Sequence, residues 1–117
     1  MPSFTAPAKS RVKMRVRVDK RPYLAGFEDP PNNSTWENVK PHPDGMGEDR
    51  EFVMPSNSGD VVSFNGQFDE QVGLNDPDPN ATYTVTFSAG GLQIGHDTIV
   101  ALQGAGPVSR QYSFTAS

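Results

Sequence analysis

The chain has 117 residues, no cysteine and a net charge of −4. That length fits one domain of ordinary size. The missing cysteines exclude thiol catalysis, disulfide stapling and cysteine metal sites. Only 34% of residues are apolar, and Gly 11 and Pro 11 are dispersed among short apolar runs, so a modest core held between many turns is expected.

Residues 1–9 are mostly small and polar and read as an extended arm ahead of a single domain at 10–117. No apolar stretch of a secretory signal occurs at the start, and no run reaches the roughly 20 apolar residues of a membrane helix. The expectation is a chain made in the cytoplasm, with no membrane partner.

Residues 10–19 give the clearest strand. Val12, Met14, Val16 and Val18 alternate with Arg11, Lys13, Arg15 and Arg17. A period of two places the apolar set on one face and the four cations on the other. Residues 21–33 read as a loop pinned by Tyr23, Leu24 and Phe27. Residues 35–40 form a short strand candidate anchored by Trp36, and residues 41–45 a turn. Residues 50–54 and 60–64 read as short strands joined by a hairpin loop at 55–59. Residues 68–74 are ambiguous, and the prolines and aspartates of 75–80 stop regular structure.

Residues 82–88 alternate again, Tyr83, Val85 and Phe87 against Thr82, Thr84 and Thr86. β-branched and aromatic residues in that pattern favour a strand. After a turn at 89–91, residues 92–94 and 98–102 read as strands on either side of Gly95, His96 and Asp97. A turn at 104–107 precedes the last strand, which carries Val108, Arg110, Tyr112 and Phe114 on one face. Seven or eight short strands without an amphipathic helix predict an all-β fold. A single antiparallel β-sandwich comes first and a small β-barrel second.

Charge is uneven along the chain. Seven of the ten basic residues fall between 9 and 21, whereas residues 52–117 hold six acids and the single base Arg110. Lys9, Arg11, Lys13, Arg15 and Arg17 are therefore the candidate partner-binding residues. A cation ladder of this kind meets carboxylates or phosphates, or else serves as a solvated face guarding an edge. Nucleic acid is disfavoured, because net charge is negative and no aromatic side chain interleaves with the cations.

Chemistry is harder to place. His42 and His96, each near an aspartate, form a dyad or metal site only if their loops meet. Asp76, Asp78 and Asn80 have calcium-loop spacing at first, but Ala81 and Phe87 stand where that loop needs glycine and glutamate. No phosphate loop or nucleophile elbow is present. The expectation is no enzyme, no cofactor and no metal. Trp36 with Tyr23 and Phe27 could make a sugar platform, which keeps an adhesion or carbohydrate-binding domain as the alternative.

The segment Asp78-Pro79-Asn80-Ala81-Thr82-Tyr83-Thr84-Val85-Thr86-Phe87 resembles a late strand of immunoglobulin-like sandwiches. The resemblance implies a tyrosine corner, with the Tyr83 hydroxyl bonded back to the turn and Val85 in the place of the family's second cysteine. The short, cysteine-free, turn-rich chain is also similar in style to accessory proteins of tailed-phage particles. That likeness implies a structural virion protein such as a capsid decoration protein. Its partners would be capsid or other virion subunits, or copies of itself, engaged through the N-terminal arm and the basic strand.

Overall fold

The alternation at residues 11–18 is realised as a strand whose residues are exposed and buried in strict turn. The computed structural model describes residues 2–18, 23–28, 36–38, 50–70, 80–102 and 104–117, with backbone alone for 23, 24, 36–38 and 70. These residues form β1 (Ser3–Ala6), β2 (Arg11–Val18), β3 (Tyr23–Glu28), β4 (Trp36–Asn38), β5 (Arg50–Val53), β6 (Val61–Glu70), β7 (Asn80–Ala89), β8 (Leu92–Leu102) and β9 (Val108–Ala116).

The strands make a two-layer β-sandwich. One sheet has the order β1-β9-β6-β3-β4 and the other β5-β2-β7-β8. The second sheet is antiparallel throughout. In the first, β1 runs parallel to β9 and the other pairs are antiparallel. β6 and β9 are neighbours although the β7–β8 hairpin of the other sheet lies between them in the chain. The strand order is therefore not one long run of hairpins.

Both inner faces are lined by the period-two apolar sets. β2 contributes Val12, Met14, Val16 and Val18, and β7 contributes Ala81, Tyr83, Val85, Phe87 and Ala89. Aromatic rings compensate for the low apolar content. Phe114 lies 4.9 Å from Phe87, 5.1 Å from Phe52 and 5.9 Å from Phe64, ring centre to ring centre. Such contacts add to the burial of large rings, each pair by about 0.5–1.5 kcal/mol. Gly66 on β6 makes room for this packing, since a Cβ there would stand 2.9 Å from the Phe27 ring.

Several expectations are corrected. The arm expected at 1–9 is not separate over its described residues, 2–9: β1 pairs along its whole length with β9, and Phe4 inserts between Phe87 and Phe114 at 5.0 and 5.2 Å. One apolar ring between small polar residues suffices to dock it. Part of the expected loop at 21–33 is β3, paired on both sides. The connection at 55–59 is no hairpin, because β5 and β6 belong to different sheets. β6 runs unbroken through the stretch read as ambiguous as far as Glu70.

β8 is also continuous. Gly95, His96 and Asp97 lie within it, and the mismatch with β7 is absorbed as a bulge at Ile94, with Gly95 paired to Phe87 and Gln93 to Ser88. Gly95 is fixed there by Phe4, whose ring occupies the space a Cβ would need. The expected turn at 89–91 is present: Gly90 and Gly91 have φ of 59° and 82°, as a two-residue hairpin of type I′ requires.

Candidate functional site

β2 sits between β5 and β7, in the interior of its sheet. Among the described residues β5 pairs with Arg11–Met14 alone, so the edge-protection reading is set aside for Arg11 and Lys13 and not for Arg15 and Arg17. Arg11, Lys13, Arg15 and Arg17 all project from the outer face and are exposed. Successive members stand about 6.8 Å apart, because two residues of an antiparallel strand rise that far.

Cross-strand register gives the ladder a second component. Lys13 is opposite Ser88, Arg15 opposite Thr86 and Arg17 opposite Thr84. Three cations thus each face a hydroxyl residue across the β2–β7 pair. Lys13, Arg15, Thr86 and Ser88 line a shallow concavity there. One strand further, His96 is opposite Thr86 and Thr98 opposite Thr84, so the rows extend onto β8. Ammonium, guanidinium and hydroxyl groups are all donors, and together they suit oxyanions such as carboxylates.

Intramolecular pairing takes up only part of this charge. Arg11 is 3.7 Å from Glu51, with both side chains well exposed. A pair of that kind contributes about 0–1 kcal/mol and remains open to exchange for a partner. Among the described residues, no acid pairs with Lys13 or Arg17. Lys9 lies apart from the face. It occupies the β1–β2 connection at φ 66°, where its N–H donates to the Pro55 carbonyl at 3.1 Å.

No protein-family model, curated protein or solved structure matches this chain. The geometry must carry the functional reading.

His96 and Asp97 do not form a dyad. Adjacent strand residues point to opposite faces, and His96 shares the outer face with Thr86 while Asp97 shares the inner side with Val85. The Asp97 carboxylate instead accepts from the Tyr112 hydroxyl at 2.9 Å and from Arg110 Nε at 3.3 Å. These bonds tie β8 to β9 across the two sheets. Burial, with the Asp97 carboxylate next in importance, pushes the Tyr112 hydroxyl far above its ordinary ionisation range.

The Tyr83 hydroxyl also crosses between sheets, donating to the Asp69 carbonyl at 2.5 Å. Its acceptor lies at the end of β6, fourteen residues upstream, and the turn before β7 is outside the described residues. Val85, two residues further along β7, is fully buried. Among the described residues, no group of three or more His, Asp or Glu side chains could hold a metal ion. His42, Asp76, Asp78 and the side chains of Tyr23 and Trp36 lie outside the described residues.

The sequence alone does not place the hydroxyl residues or His96 beside the ladder. The threonine stripe is visible in residues 82–86, but nothing local says that it lies beside β2.

Proposed function

We propose that this protein is a non-enzymatic structural binding module, a virion accessory protein of the capsid-decoration kind, which docks on an acidic shell surface. The docking element is the outer face of β2 and β7. The observation that carries the reading is the row of exposed cations, each of three opposite a hydroxyl residue, held in register by pairing with β7 from Val12 to Val18. β1 belongs to the sandwich itself, so docking rests on the basic face alone.

The mechanism is association between preorganised surfaces. A paired strand holds its cations in register before contact, so no backbone ordering is required on binding. Only the Arg and Lys side chains lose freedom, at most about 2 kcal/mol each. Arg15 and Arg17 supply planar donor forks that fit carboxylates, and hydroxyls from β7 complete the coordination of the same oxyanions. A repeating shell would present many such sites, and complementary potentials would set orientation and encounter rate.

The test is cosedimentation with bare shells assembled from the shell protein encoded alongside this chain. Wild type is expected to pellet with shells at low salt and to be released as the Debye length falls from about 10 Å at 0.1 M to about 3 Å at 1 M. Arg15→Glu with Arg17→Glu is expected to stay in the supernatant. Equal pelleting of wild type and variant at every salt concentration would remove the docking face. Wild type remaining free of shells throughout would remove the virion assignment.

A further inference from the structure

The sheet edges are unequal. β1 has four residues, β4 three and β5 four, while β8 has eleven. β7 covers one side of β8, and among the described residues no other strand pairs with it. Long natural edges are blunted by lysine, proline, charge or a covering element. β8 reads Leu-Gln-Ile-Gly-His-Asp-Thr-Ile-Val-Ala-Leu and contains no lysine, arginine or proline. Its single acid, Asp97, is already paired with Arg110.

Apolar exposure concentrates on the same strand. Leu92 is 75% exposed, Val100 47% and Leu102 49%, three of the five large apolar side chains left open among the described residues. The two halves of β8 differ. Its start is bulged and has Phe4 packed over Gly95, whereas residues 96–102 pair with β7 in unbroken register.

We infer that residues 98–102 form a self-association edge, whose occupant is the same segment of a second copy, antiparallel across a two-fold axis. A two-fold gives the edge a partner of its own length, and an isologous contact closes after two subunits. A register centred on Val100 sets the two Val100 side chains together, places Leu102 opposite Thr98 and Ile99 opposite Ala101, and brings no like charges face to face. The cation ladders do not oppose it. Each lies two strands in from the edge, so at about 4.8 Å per strand the ladders stand about 24 Å apart, well beyond a Debye length of about 8 Å. The product is one eight-stranded sheet with both basic faces on the same side. This pairing does not depend on the docking role.

Sedimentation equilibrium of the whole chain tests it, from about 1 µM to about 1 mM, the range in which a small strand-to-strand interface associates. Wild type is expected to rise from monomer to twice the monomer mass. Val100→Lys is expected to remain at monomer mass, and Val61→Lys, equally exposed but on the other sheet, to dimerise as wild type does. Should Val100→Lys fail to fold by circular dichroism, Thr98→Lys reads the same edge. Because the chain has no cysteine, Val100→Cys is expected to give a disulfide-linked dimer on mild oxidation, and Val61→Cys to give none. Monomeric wild type across the range, dimerisation that survives the edge lysines, or equal cross-linking at both positions would overturn the inference.

Discussion

Tyr112 places a hydroxyl against a carboxylate at the boundary of a core that is otherwise largely apolar. The pair is tolerated because Arg110 supplies the opposite charge and the hydroxyl donates to the same oxygen. Its effect on stability has a definite sign. In the unfolded chain Tyr112 ionises near its ordinary value of 10.0, whereas in the folded chain burial and Asp97 hold it protonated well beyond that. The folded state then binds more protons above pH 10, so stability falls as pH rises, by about 1.4 kcal/mol per unit for this group. Below pH 10 the contribution is fully present. Tyr112→Phe should lose about 1–2 kcal/mol at neutral pH with the hydrogen bond. Urea unfolding from pH 8 to 12, taken as approximate limits around that ionisation, should show a shallower alkaline decline for the variant than for wild type.

At the scale of elements, the contact between β1 and β8 is the most informative. Phe4 fills the space above Gly95, and each residue is explained by the other. Gly95→Ala should cost about 1–3 kcal/mol through overpacking. Phe4→Ala should cost about 2–3 kcal/mol, less than a fully buried ring because Phe4 is half-buried. In the Phe4→Ala background the alanine at 95 meets no ring, and its penalty should largely disappear. A double-mutant cycle by denaturant unfolding measures this coupling, and simple additivity would show that the two positions act independently.

The same elements show what could be read from the sequence. β2 and β7 are visible because buried and exposed residues alternate over a full strand, and that signal is local. β1 is not visible, since four residues between prolines carry only Phe4 as an apolar mark and their partner is β9, over a hundred residues away. β8 was divided at Gly95 because glycine beside His96 and Asp97 looks like a turn, and only the Phe4 contact shows why it is not. The four cations of the face were legible in one strand. Their hydroxyl partners were not, because the pairing of β2 with β7 is a long-range fact.

For the whole molecule, β9 holds the first sheet together. It lies between β1 and β6 and contributes Tyr112, Phe114 and Ala116 to the core. Deleting residues 108–117 should therefore abolish the native fold rather than shorten it. The expected observation is loss of amide dispersion in the proton–nitrogen spectrum and of a cooperative unfolding transition. Retention of both would mean that β6 can serve as an edge and that the core survives without two of its largest rings.

The parallel pairing of β1 with β9 has a consequence for biosynthesis. β1 leaves the ribosome over a hundred residues before the strand it pairs with. At about 5–20 residues per second, the Phe4 ring spends about 5–20 seconds without its final neighbours while the remaining hundred or so residues are made. The sandwich cannot close progressively from the amino end, so its completion waits for residues 108–116, and a chain stalled before them would keep that ring on offer to chaperones and proteases.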